Sequence, residues 1–296
     1  MNTSLLKLAR SAAASLGFIA ALSVLGSGAQ AATNPAFQVQ ASGQGQPMIL
    51  IPGLSSPGEV WKDTVAHYDR HYRCYVLTLA GFAGTPATDG PLLQQAEQQL
   101  MQLIASEKMD KPIIVGHSMG GFLAMQTAAD HPDKIGKLII VDTMPALGAT
   151  QMPSMTEAQL KEMAAPMRDK ILESSPAALE AKFRGTASTM ISKPEDIERI
   201  VGWSMKSDQK TIANSMYEML STDLRDKIGQ IKSPTLVLGT WIAYKQYMPR
   251  STAESTFKLQ YAKLPGVKIE LSDTSRHFIM YDDPQWMLAR MDEFLK

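Results

Sequence analysis

An α/β fold, a doubly wound and mostly parallel sheet carrying an inserted helical cap, is predicted by three observations. Short apolar runs alternate with amphipathic stretches along most of the chain. The runs are apolar almost throughout instead of at every second residue, which is the pattern of strands buried on both faces. One connection is far longer than the rest and reads as helix along its length. Alternating strands and helices wind a parallel sheet through right-handed crossovers, and the long connection is where a cap inserts.

Residues 1–31 are set apart from the fold. Their charges are Lys7 and Arg10, followed by SAAASLGFIAALSVLG and by Ala29-Gln30-Ala31. A basic start, an apolar middle and an A-x-A end form a secretory signal peptide, so cleavage after Ala31 and a periplasmic or secreted product are expected. The apolar stretch is short for a span of about 20 residues, and no stable membrane association is expected after cleavage.

Strands are expected at PMILIPG (47–53), CYVLTLAG (74–81), PIIVGHS (112–118), KLIIVDT (137–143), PTLVLGT (234–240) and VKIELSD (267–273). All are rich in Val, Ile or Leu and bounded by Pro, Gly or polar residues. Helical patterns occupy 59–69, 91–107, 120–130, 251–263 and 284–295. The core domain is therefore read as 32–146 with 232–296, and the cap as 147–231. TEAQLKEMAAPMRDKILES, PAALEAKFRGTAS, KPEDIERIVGWSM and QKTIANSMYEML supply its helices. A structureless loop of that length inside a compact domain is improbable. The cap is rich in methionine, which fills irregular interiors and can line an adaptable apolar pocket.

Composition excludes several classes. Basic and acidic residues number 29 each, and loss of Lys7 and Arg10 with the signal leaves a formal charge near −2. Such a balance predicts no nucleic-acid partner. Cys74 is the single cysteine, so no internal disulfide forms, and its strand-like setting marks it as a small buried hydrophobe. The histidines lack the spacing of a metal site, although His67 and His71 can share a helix face. No metal or cofactor is expected, and the sequence carries no signal for oligomeric state.

The most specific chemical signal is Gly116-His117-Ser118-Met119-Gly120-Gly121, between the strand-like PIIV and the helical FLAMQTAAD. A serine on so tight a strand-to-helix turn is held in a strained conformation at the mouth of the sheet, facing the positive end of the helix. Small residues two before and two after keep strand and helix from clashing.

With this motif the chain resembles the α/β-hydrolase fold family, and within it the capped esterase-like branch. ILIPGLSSPGEVW resembles the loop after the family's third strand, with Pro52 where the usual residue before Gly53 is His. LTLAGFAGTP resembles the Asp-x-x-Gly-x-Gly-x-Ser stretch, with Thr78 in place of Asp. STDLRDKIGQIKSPTLVLG resembles the run that closes the cap, and SRHFIMYDDPQW the catalytic-histidine loop, with Arg276 where Gly is commoner. The resemblance implies Ser118 as nucleophile, His277 as general base, and an oxyanion hole from the backbone N–H groups of Met119 and Leu54.

The acid departs from the commonest pattern. That pattern puts a carboxylate about three residues past Gly239, where Ile242 stands, and no Asp or Glu occurs between Asp226 and Glu254. Glu254 lies well into the next helix and Glu270 inside a strand. Asp142, at the tip of the strand after the nucleophile helix, neighbours the nucleophile strand in a parallel sheet and is the expected acid. Asp273, with a short loop to its own histidine, is the alternative, and a dyad without an acid is the third reading.

The expected activity is hydrolysis of a small-molecule carboxylic ester through an acyl-enzyme, in an apolar pocket with Leu54, Met119 and Trp241 as wall residues. Lactonase, carbon–carbon hydrolase, perhydrolase and aminopeptidase chemistry remain open on the same residues, because fold does not fix function. A non-catalytic binding protein is the reading from a different class.

Overall fold

The computed structural model describes residues 34–296. The expected signal peptide and its cleavage point lie outside the described residues. Among the described residues seven strands form one sheet in the order β1-β3-β2-β4-β5-β6-β7. They are β1 (Phe37–Ser42), β2 (Gln46–Ile51), β3 (Tyr72–Leu79), β4 (Ile113–His117), β5 (Lys137–Val141), β6 (Thr235–Thr240) and β7 (Lys268–Ser272). All neighbouring pairs are parallel except β1 with β3.

The sheet is buried on both faces. Ile49, Ile51, Ile114, Leu138, Ile140 and Val237 join one core cluster, while Met48, Leu50, Ile113, Val115, Ile139 and Val141 join the other. Side chains alternate across a pleated strand, so a strand that must serve two apolar layers is apolar at every position. On the first face lie α2 (Leu92–Ser106), α3 (Met119–Asp130) and α8 (Arg250–Gln260). The second carries α1 (Lys62–Tyr68) and, after the short α9 (Ile279–Asp282), the final helix α10 (Pro284–Leu295). His67 Nε2 and the Tyr68 hydroxyl both reach the Asp292 carboxylate, tying α1 to α10, so His67 has a structural partner. Cys74 is fully buried, and burial pushes its thiol up to about 11.

Strand β1 was not expected. Only Phe37 of FQVQAS is buried, so its pattern is not that of a core strand. It is the antiparallel edge of the sheet, where solvent takes one face and one side of the ladder.

Between β5 and β6 the chain forms α4 (Glu157–Leu172), α5 (Pro176–Met190), α6 (Pro194–Met205) and α7 (Gln209–Ser221). Their starts are encoded locally. Thr156 and Gln159 form a reciprocal capping box on α4, while Ser175 and Asp208 accept from the third backbone N–H beyond them on α5 and α7. Pro176 and Pro194 occupy first helical positions, where the missing N–H has no intrahelical role. α4 packs on α7, and α5 on α6. Two bonds tie the α6–α7 turn to the loop after β3: Asp208 N–H to Gly81 O, 2.7 Å, and Ala83 N–H to Ser207 Oγ, 2.8 Å. Among the described residues no helix is long and apolar enough to cross a membrane.

Candidate active site

The parallel register brings two strand ends together. His117, the last residue of β4, pairs with Val141, the last of β5, and the next residues are Ser118 and Asp142. The Ser118 N–H donates to Val141 O at 3.0 Å, and the Asp142 N–H donates to Leu238 O of β6 at 2.7 Å. Three neighbouring strand tips are thereby laced together at the edge where ligands bind in open α/β sheets.

Ser118 has φ 51° and ψ −121°, a left-handed conformation that side chains rarely adopt. Glycines make the turn possible. A Cβ on Gly116 would lie 2.4 Å from Gly120 O, and one on Gly120 would lie 2.3 Å from Ile51 O. The second contact also shows how closely the elbow rides against the end of β2. Beyond that end, the 53–54 segment passes beside the serine, and a Cβ on Gly53 would be 3.0 Å from Ser118 Cβ. No backbone carbonyl among the described residues accepts from the N–H of Leu54 or Met119, which leaves both donors free for a bound oxygen.

His277 follows β7. Its Nδ1 lies 2.7 Å from Asp142 Oδ2, in a pair whose side chains are 20% and 13% exposed. The other oxygen, Oδ1, accepts from Thr240 N–H at 3.0 Å. The carboxylate is thus held by two different groups at fixed angles, and it directs the Nδ1 proton toward itself. The ring's Nε2 is left without a hydrogen-bond partner among the described residues. Among the described residues the Ser118 hydroxyl makes no protein hydrogen bond, and catalytic hydrogen bonds are often long or poorly aligned in ligand-free hydrolytic sites.

Asp273 is placed elsewhere. Its Oδ1 accepts from Trp241 Nε1 and from Arg250 Nε, each at 2.8 Å, and these two donors hold its carboxyl below the usual range. Trp241, expected as a pocket wall, spends its indole N–H on this bond while its ring packs against the larger core cluster. The Met119 side chain is fully buried in that cluster.

Two neighbours have roles that the sequence did not assign. His117 is fully buried, its Nε2–H donates to His277 O at 3.1 Å, and its ring lies 4.5 Å from that of His277. Burial, reinforced by the neighbouring His277, drives its pKa well below the usual imidazole value, so it is neutral. Arg276 reaches the end of α5, its guanidinium donating to Ser188 O and, at 3.0 Å, to Ile191 O. Arg276 therefore anchors the histidine loop to the helical insertion, a task glycine cannot perform. Cavities of about 160 and 280 Å³ lie around Arg199 and around Arg250, and neither is lined by Ser118, Asp142 or His277.

Known proteins share this architecture. A pimeloyl-[acyl-carrier protein] methyl ester esterase of Vibrio atlanticus is 26% identical over 202 residues, covering 67% of this chain and 76% of its own. The enol-lactonase of Burkholderia xenovorans LB400 superposes with a TM-score of 0.72 at 18% identity, over 88% of this chain and 96% of that one. An esterase of Exiguobacterium antarcticum does so with a TM-score of 0.72 at 17% identity, over 88% and 95%. The family model described as "Alpha/beta hydrolase family" matches residues 48–290, nearly the whole sheet with its helices. On that match, and on a sheet whose order and elbow agree with it, the chain belongs to the alpha/beta hydrolase family.

Proposed function

We propose that the protein is an exported serine hydrolase that cleaves a small-molecule carboxylic ester through an acyl-enzyme. The observation that carries the reading is the 2.7 Å pair of His277 Nδ1 with Asp142 Oδ2, beside the strained Ser118. With Nδ1–H committed to the carboxylate, Nε2 is the free lone pair, and it takes the Ser118 proton as Oγ attacks the ester carbonyl. The negative charge that develops on the carbonyl oxygen meets the free N–H groups of Met119 and Leu54 and the positive end of α3. His277 then protonates the departing alcohol, and in the second half it activates water to release the acid. Asp142 stabilises the imidazolium in both halves. The esterase activity of the Vibrio relative supports an ester as substrate, and the basic, apolar, A-x-A start of the chain supports export.

The test is a fluorophosphonate label with p-nitrophenyl ester turnover. The protein should label once, at Ser118, and Ser118→Ala should abolish both labelling and about 10⁴-fold or more of the turnover. An unlabelled, folded protein without turnover would instead be a binding protein on a hydrolase fold.

A further inference from the structure

The turn that carries Asp142 is held from behind by a pair of buried residues that no sequence motif marks. Gln260 ends α8 and Tyr261 follows it; they are 2% and 1% exposed. The Tyr261 hydroxyl donates to Thr143 O at 2.7 Å. The Gln260 amide grips one residue twice, Oε1 accepting from Ala146 N–H at 3.1 Å and Nε2 donating to Ala146 O at 3.2 Å. Thr143, between these grips and the acid, donates its hydroxyl to Ser118 O at 2.5 Å. One chain of bonds therefore runs from α8 through residues 143–146 to the backbone of both Ser118 and Asp142.

Such bracing answers a specific need. Asp142 has φ 47°, in the left-handed region that residues other than glycine enter uncommonly, Asp more readily than most, and bonds around it hold it there. Relaxation of that torsion would swing the carboxylate off His277 Nδ1. Burial keeps the Tyr261 phenol protonated far above the usual range, so its donor is present at every working pH.

We propose that Gln260 and Tyr261 are positioning residues, a buried clamp on the turn after β5 that keeps the Asp142 carboxylate against His277. The proposal rests on the catalytic reading above. The clamp touches neither substrate nor the reacting atoms; it holds the 143–146 turn, and its effect on turnover runs through the Asp142 carboxylate that the turn carries.

A double-mutant cycle with a p-nitrophenyl ester tests it. Tyr261→Phe removes one hydroxyl and Gln260→Met removes both amide bonds at similar volume. Each should lower kcat about tenfold with KM within about twofold, because what weakens is the stabilisation of the His277 imidazolium by Asp142, and that cation forms only as the transition state is approached. In the Asp142→Asn background, either variant should change kcat by less than about twofold, since residues acting through one another are not additive. Equal fold-losses in both backgrounds, or full kcat in a folded Tyr261→Phe protein, overturn the clamp. Should Tyr261→Phe lose its cooperative thermal transition, Gln260→Met carries the same comparison. A wild type that takes no fluorophosphonate overturns the catalytic reading and the clamp together. A labelled, active wild type with an indifferent clamp overturns the clamp alone.

Discussion

Replacing Asp142 by Asn changes little in shape and reverses one hydrogen bond. Thr240 N–H donates to Oδ1 at 3.0 Å, so the amide oxygen of the variant keeps that place. The amide nitrogen is then turned toward His277 Nδ1, where Oδ2 now sits at 2.7 Å. Facing a donor, Nδ1 must become the acceptor, and the ring's one proton moves to Nε2. A protonated Nε2 cannot take the Ser118 proton. Wrong-tautomer variants of this kind lose on the order of 10⁴ in turnover, which is about 5 kcal/mol of barrier. Asp273→Asn is the control. Its Oδ1 accepts from Trp241 and Arg250 on a side chain that is 59% exposed. An amide oxygen keeps the Trp241 bond, and an exposed ion pair is worth about 0–1 kcal/mol, so turnover should stay within about threefold. Steady-state hydrolysis of a p-nitrophenyl ester, normalised by fluorophosphonate titration of competent serines, reads both variants. A large loss in Asp273→Asn beside an active Asp142→Asn would refute the assignment of the acid.

Two further outcomes concern stability. A Cβ on Gly239 would lie 2.3 Å from Phe257 Cζ and 2.7 Å from Leu271 Cδ2, so Gly239→Ala should cost about 1–3 kcal/mol by overpacking, seen as a lower thermal midpoint. Glu218 of α7 accepts from Leu93 N–H at the start of α2, and burial, the largest influence on it, raises its carboxyl above the ordinary 4.5. The folded state then holds this proton more tightly than the unfolded state. The contribution is fully present below the ordinary value and is lost as pH rises through the folded one. Glu218→Gln keeps an oxygen for Leu93 without the charge, so its thermal midpoint should match wild type below about pH 4, exceed it by a growing margin as pH rises to the folded value, and keep a constant margin above that. A constant offset at all pH values would assign the difference to shape instead of charge.

The sheet was legible where burial writes a simple pattern. Core strands such as β4 and β5 must be apolar at successive positions, and their register follows once they are known to be parallel neighbours. β1 escaped because an edge strand with one buried residue has no such constraint. The elbow was readable because its geometry is local: Gly116, Ser118 and Gly120 solve a clash within five residues. The bond between Asp142 and His277 spans 135 residues, and it was suggested by two signs together, the missing carboxylate past Gly239 and the juxtaposition of strand tips. The bonds from Tyr261 and Gln260 to the 143–146 turn had no signal at all. A buried Tyr and a buried Gln at a helix end look like ordinary packing until their partners are known. Arg276 was read as a departure from the family pattern, and its bonds to the end of α5 give that departure a reason.

The segment LGTWIAYKQY (238–247) has no carboxylate, yet it is not idle. Leu238 O receives the Asp142 N–H, and Thr240 N–H fixes the Asp142 Oδ1 lone pair. The Thr240 hydroxyl donates to Ser275 O, two residues before His277, so one residue braces both members of the His–Asp pair. Trp241 draws the competing carboxylate of Asp273 outward to Arg250. In place of a carboxylate, this strand end orients Asp142, the acid of the proposed triad, while Trp241 and Arg250 hold Asp273. The Asp142 carboxylate, on a turn with positive φ, has to be held from more than one direction. Here it is held by Thr240 on one side and, through Thr143, by the α8 terminus on the other. Both holds bear on the 2.7 Å contact with His277 Nδ1, on which the proposed chemistry depends.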